Sequence, residues 1–129
     1  KQYLVENNKI NTNRDDEIQV SEANAFSGEI DCSWREVSDL TGIEAFTALI
    51  VLESYDNYLT SLDLSQNAAL VYLNCSQNVL LSLNVNNASD LNVLRCSSNF
   101  QLTSLDVSHN TSLTKLECQF NWNITQIGM

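Results

Sequence analysis

The sequence predicts an α/β solenoid: a right-handed superhelix of about five coils with parallel strands on a concave face and a small helical N-terminal cap. Three observations predict it. A leucine-rich phrase returns every 21 or 22 residues from about residue 30 onward, most clearly as LVYLNCSQN (Leu70 to Asn78), LNVLRCSSN (Leu91 to Asn99) and LTKLECQFN (Leu113 to Asn121). Within each phrase Leu and Cys fall on alternate residues, which is the period of a strand. An Asn closes each phrase in register, at positions 57, 78, 99 and 121. The expected division is a cap over residues 1–28 and a solenoid over residues 29–129.

Length and charge narrow the classes. A chain of 129 residues suits one domain. Six basic residues against sixteen acidic ones give a net charge of −10. That field repels phosphate backbones, so nucleic acid is excluded as a partner. No apolar run approaches the roughly 20 residues of a membrane span. The chain opens on Lys1 rather than Met, as a processed or trimmed form would. Seventeen Asn and eighteen Leu, with no Pro and three Gly, suit regular coils with polar corners.

Each coil has two halves. The first, Leu-x-x-Leu-x-Cys-x-x-Asn, begins at Leu49, Leu70, Leu91 and Leu113. Its small inward position is Cys32, Ser54, Cys75, Cys96 and Cys118, spaced by 22, 21, 21 and 22 residues. The cysteines therefore read as free core thiols, not as disulfides. No CxxC pair or neighbouring His supports zinc. The second half appears as LTSLDLSQN from Leu59, LLSLNVNNA from Leu80 and LTSLDVSHN from Leu102. VSDLTGIEAF from Val37 is a divergent first copy, and these returns are expected to be mostly irregular. One coil cannot bury its own apolar face, but stacked coils form a continuous column. The in-register Asn residues are expected at left-handed corners, with their amides bonding the turn.

Strand alternation also fixes what faces outward. Asp31, Glu53, Asn74, Arg95 and Glu117 share one column; Val51, Tyr72, Val93 and Lys115 precede them, and Tyr55, Ser76, Ser97 and Gln119 follow. Tyr55 and Tyr72 are aromatic anchors of the kind interfaces favour. The candidate ligand-binding set is Glu53, Tyr55, Tyr72, Asn74, Arg95, Lys115 and Glu117. For Arg95 a cross-strand ion pair with Glu117 is the competing role.

These phrases resemble the repeats of secreted bacterial leucine-rich repeat proteins of the internalin type. LVYLNCSQN is similar to the strand half with its S-x-N corner, and VSDLTGIEAFTAL is similar to the convex return. The resemblance covers residues 30–127. It implies a secreted or cell-surface module that binds a protein or glycan on its concave face, in an adhesive, non-catalytic role.

The segment NTNRDDEIQVSE, residues 11–22, resembles an EF-hand or dockerin-type calcium loop. Asn11, Asn13 and Asp15 match the first three ligand positions, Glu17 would offer its carbonyl, and Glu22 is the closing acid. Asn11 stands where Asp is usual, and Asp16 stands where Gly makes the turn. Two readings remain open: a weak calcium site, or a metal-free cap covering the first coil. Neither requires a cofactor for binding.

Catalytic constellations are lacking. His109 stands at a corner without a paired nucleophile, and Asp63 and Asp106 read as solvated faces. Glu53 and Glu117 lie roughly 14 Å apart, too far for a glycosidase pair. The chain ends at Ile127-Gly128-Met129, partway into a return, with Phe120 and Trp122 expected to cover the base of the core. An edge strand over residues 113–118 predicts a homo-oligomer through that end, or a longer parent protein. The second functional class is therefore a structural spacer or self-assembly unit.

Overall fold

The structure is a computed structural model that describes residues 2–129. Two short helices, α1 (Gln2–Val5) and α2 (Val20–Ala25), precede nine three-residue strands. The strands are β1 (Glu29–Asp31), β2 (Val51–Glu53), β3 (Ser61–Asp63), β4 (Tyr72–Asn74), β5 (Ser82–Asn84), β6 (Val93–Arg95), β7 (Ser104–Asp106), β8 (Lys115–Glu117) and β9 (Gln126–Gly128). Five of them form one parallel sheet in the order β1-β2-β4-β6-β8. Ile30, Leu52, Leu73, Leu94 and Leu116 stand in register along its inner side. The first four are buried, and Leu116 on the edge strand is half-buried. The sheet exists because each strand offers one apolar side chain per coil, and only the neighbouring coil can remove it from water.

The returns are more regular than expected. β3 pairs with β5 and β7 with β9, both in parallel. Leu62, Leu83, Leu105 and Ile127 repeat the same inward position, so the return side stacks by the same physics. No ladder joins β5 to β7 among the described residues. The cause is one extra residue. Asn78-Val79-Leu80 turns the corner with one intervening residue, whereas Asn99-Phe100-Gln101-Leu102 uses two.

The corners correct a second expectation. The recurring left-handed residues are Asp56 (φ 53°), Gln77 (53°), Ser98 (58°) and Phe120 (60°), each one place before a ladder Asn, with Trp34 (60°) at the equivalent place before Arg35. The Asn residues do different work. Asn78 donates from Nδ2 to the carbonyl of Cys75 in its own coil and to that of Ser54 in the preceding one, at 3.1 and 3.0 Å. Its Oδ1 accepts from the Leu59 backbone at 2.9 Å. Asn57 and Asn99 make the same set of bonds, and Asn121 the same donor pair. A primary amide supplies two donors and an acceptor in one plane, which is what a buried corner leaves unpaired. A second, return-side pair behaves likewise: Asn67 donates to Ile43 and Phe46, and Asn110 to Val85 and Ala88. Ala88 occupies the same column between them and interrupts that ladder.

The cysteine column lies inside the prism. Cys32, Cys75 and Cys96 are buried and Cys118 is half-buried; all four are free. Burial, with a contribution from Asp31, pushes the Cys32 thiol up to about 11. Burial likewise raises Cys96 to about 12, with Cys118 adding to it, and Cys75 well above its ordinary value. Ser54 fits the same column because its hydroxyl donates to the Asn74 carbonyl at 3.3 Å.

The cap closes the first coil. Ile10, Ala23 and Phe26 are buried, and Phe26 meets Phe46 edge-on at 6.3 Å. Glu22 organises the loop before α2: Oε1 accepts from the backbones of Thr12 and Asn13 and from the Thr12 hydroxyl, and Oε2 from the Gln19 backbone. The last bond satisfies a donor at the start of the helix.

Candidate functional site

The outer side of the five-stranded sheet brings the predicted residues together. Tyr72 lies between Val51 and Val93, Asn74 between Glu53 and Arg95, and Lys115 and Glu117 on the last strand. The Arg95 guanidinium stands 5.9 Å from the centre of the Tyr72 ring. Its Nε lies 3.1 Å from Glu117 Oε2 but outside hydrogen-bond alignment, so the contact is an ion pair only. Lys115 Nζ reaches Glu117 Oε1 at 2.8 Å. Lys115 first, and Arg95 after it, hold the Glu117 carboxyl below its ordinary range. Partial burial, with the bonded Glu53 carboxylate beside it, pushes the Tyr72 phenol up. Asn74 turns its Oδ1 to the Ser76 backbone at 3.2 Å.

At the other end of the face Tyr55 is half-buried, and its backbone donates to Ser33 Oγ at 3.2 Å. Trp34 packs edge-on against Tyr55 at 5.1 Å and is 68% exposed. Sequence reasoning missed Trp34 because it follows a partial first repeat; its register with Asp56, Gln77, Ser98 and Phe120 was the available signal. Ser76, expected to face outward, is buried and accepts from the Ser97 backbone at 3.2 Å. A second feature was also missed. The residue after each ladder Asn is exposed and mostly aromatic: Tyr58, Val79, Phe100 and Trp122. Phe120 and Trp122 do not cover the core; they are 57% and 73% exposed and meet each other edge-on at 5.6 Å.

The N-terminal loop gathers oxygen donors. Asn13 Oδ1 accepts from the Asp15 backbone, and Asp15 accepts from the Glu17 backbone and the Gln19 side chain. Those bonds hold the Asp15 carboxyl below its ordinary range, and the backbones of Asn13 and Gln19 do the same for Glu22. Asn11 is buried, with Nδ2 donating to Val5 and Asp15 carbonyls, while Oδ1 has no hydrogen-bond partner. An all-oxygen set with a spare buried oxygen fits a hard cation such as calcium. Both Glu22 oxygens already serve backbone donors, so a cation would compete with them. Among the described residues no cluster of three or more His, Cys, Asp and Glu side chains forms a metal site.

Beside the loop, an open cleft of about 580 Å³ separates the cap from the first return. Leu4, Ile18, Leu40 and Phe46 contribute apolar walls. On the return side, Asp63 and Asp106 are structural rather than merely solvated. Each accepts from the backbone two residues on, Ser65 and Ser108. The Ser65 backbone and hydroxyl lower the Asp63 carboxyl, and the Ser108 hydroxyl and backbone lower that of Asp106. Ser108 Oγ lies 3.1 Å from His109 Nδ1 on the surface. Asp106 serves the Ser108 backbone instead of orienting the imidazole, so the trio lacks the order of a hydrolytic triad.

Parallel in-register strands, a Leu and Cys core and stitching asparagines define an internalin-like leucine-rich repeat solenoid of about five turns. The functional domain of InlJ from Listeria monocytogenes, a solved structure described as including a cysteine ladder, is similar: 35% identity, TM-score 0.73, 80% of this chain covered and 22% of that one. The chain thus spans less than a quarter of the length of that protein. No protein-family profile matches the chain, nor does any curated protein. Folds of this class are typically non-enzymatic and suggest protein binding or adhesion. No helix among the described residues is long and apolar enough to cross a membrane.

Proposed function

We propose that the chain is a non-catalytic, exported or cell-surface binding module of the adhesive type, taking a protein or glycan ligand on its five-stranded face. The observation that carries this reading is the register of that sheet. It sets Tyr72, Asn74, Arg95 and their charged neighbours on adjacent strands, with Tyr55 two residues beyond the end of β2, on a surface held rigid from behind by fully buried leucines. Rigid elements with aromatic anchors lose little entropy on binding. Replacing Tyr55, Tyr72 and Arg95 together by Ala is expected to abolish capture on a protein and glycan array while leaving the melting curve in place. Capture undiminished in the triple variant would refute the assignment of the face. The alternative, self-stacking through the edge of β8, draws on the exposed Phe120 and Trp122 pair. Sedimentation of the same samples separates the two, because stacking raises the mass with concentration whatever the face carries.

The N-terminal loop is proposed to accept calcium weakly, with no cofactor needed for ligand binding. The buried, unpartnered Asn11 Oδ1 supports this. At calcium well above a millimolar dissociation constant, the Tm should rise by about 3 °C over a chelated control. An unmoved Tm would leave the loop as a metal-free cap.

A further inference from the structure

We propose that the N-terminal half of the five-stranded face, formed by Asp31, Trp34, Glu53, Tyr55 and Tyr72, seats the lysine or arginine side chains of a basic protein segment. The inference rests on the assignment of that face as the binding surface and names the chemistry of its partner.

The two halves of the face differ in how their charges are met. In the C-terminal half every charge has a partner: Arg95 and Lys115 converge on Glu117, and Arg95 also lies over the Tyr72 ring. In the N-terminal half Asp31 and Glu53 are register partners on adjacent strands. Like charges directly opposite one another destabilise a sheet. The ion pairs among the described residues involve only Arg95, Lys115 and Glu117. Of the described cations, none forms an ion pair with Asp31 or Glu53. Arg35 lies 4.5 Å over the Tyr3 ring, and Lys9 lines a cleft with Glu29 and Asp31 without pairing to either.

Rings flank those carboxylates. Tyr55 lies two residues beyond Glu53 on the same side of the chain, and the Tyr72 hydroxyl meets Glu53 from the other side. Trp34 covers Tyr55 from a backbone at φ 60°, where a bulky side chain is disfavoured and Gly would be free. The like-charge pair is a cost to the folded state that a bound cation would offset, whereas the φ at Trp34 is the one shared by the other corners.

The molecule itself displays the completed arrangement. A cation, a tyrosine ring and a carboxylate meet at Arg95, Tyr72 and Glu117. At the N-terminal half the rings and carboxylates are present, and the cation must come from the ligand. An ammonium or guanidinium within about 6 Å of a Trp or Tyr face is attracted by the ring quadrupole, and the carboxylates add charge-assisted bonds. A neutral glycan would stack on the same rings but leave the carboxylate repulsion in place. Asp31 and Tyr72 lie two strands apart and two residues out of register, roughly 12 Å. That accommodates two basic side chains at alternate positions of an extended segment. The net charge of −10 would steer such a segment toward the protein.

The test uses a labelled peptide of alternating lysine and threonine, a glutamate–threonine counterpart and a neutral oligosaccharide, each titrated into the whole chain. The lysine peptide should bind, more weakly as salt rises, and the other two should not. The D31N/E53Q variant should lose affinity about tenfold. It should melt no lower than the parent, since repulsion is removed and the amide oxygen introduced by D31N can still accept from the Ser33 backbone that Asp31 now holds. The D63N/D106N control removes the same charge on the return side and should change affinity by less than about twofold. W34G should weaken the peptide about fivefold without lowering the Tm. Equal losses in the two charge variants would reduce the effect to net charge and overturn the proposal. Absence of peptide binding would also overturn it. Oligosaccharide binding that is lost in Tyr55→Ala and kept in D31N/E53Q would overturn the cation site while upholding the face; binding indifferent to all of these variants would remove both.

Discussion

Asn99→Ala should destabilise the fold by about 3 kcal/mol and lower the Tm by roughly 10 °C. The reasoning follows the bonds. Asn99 is fully buried, and its Nδ2 donates to the Cys75 and Cys96 carbonyls at 3.1 and 3.0 Å. Its Oδ1 accepts from the Leu80 backbone at 3.2 Å. After truncation Cys75 and Cys96 keep one donor each, from Asn78 and Asn121. The Leu80 N–H keeps none and remains buried. Three bonds at about 1 kcal/mol each are lost, and the orphaned donor adds its desolvation cost, partly relieved if water enters. Asn121 makes the same two donations from a half-buried position at the last corner. Its removal should cost less than half as much, because water can replace the amide. Urea titrations of the two variants measure both values through the shift in midpoint. A cost below about 1 kcal/mol for Asn99→Ala would mean that strand stacking alone sets the corners.

Most of the frame could be read in the sequence. The register of the five-stranded sheet, the inward cysteines and the outward columns follow from a period repeated with one residue of slack. The function of Asn was only half legible. Recurrence showed that the residue was required, but a side chain that tolerates a left-handed backbone and one that bonds three backbone groups leave the same mark. The structure assigns the left-handed turn to Asp56, Gln77, Ser98 and Phe120, whose varied chemistry hid a common φ. The strands of the return side escaped because three-residue strands are too short for alternation to separate from turn sequence. At the candidate face, alternation placed Tyr55 and Tyr72 but could not place Trp34. The ring reaches Tyr55 through a corner backbone, and corner geometry is not periodic. The Arg95 and Glu117 pair was anticipated because it needs only register, whereas the absence of an ion pair to Asp31 and Glu53 among the described residues depends on where their long, flexible cationic neighbours point.

Leu73→Ala and Leu116→Ala are the same change at the same register position, and their costs should differ by about threefold. Leu73 is fully buried between Leu52 and Leu94 on the middle strand β4. Its loss removes the transfer energy of a buried isobutyl group and leaves a cavity walled by two rigid coils, about 3.5 kcal/mol. Leu116 on β8 is half-buried and pairs with Leu94 alone. Its truncation removes less buried area and leaves a hollow open to water, about 1 kcal/mol. In a stack where each coil touches only its neighbours, stability is a sum of nearest-neighbour terms, so the cost of one residue counts how many neighbours it has. The pair of variants therefore reports on the exposed edge as well as on the core. If copies of the chain associate through β8, Leu116 gains a second neighbour, and its cost should climb toward that of Leu73 as protein concentration rises. A constant threefold ratio across concentrations would leave β8 open and remove self-stacking as a source of stability. Equal costs in dilute solution would contradict the one-dimensional stack itself, since no neighbour would then explain the burial at its end.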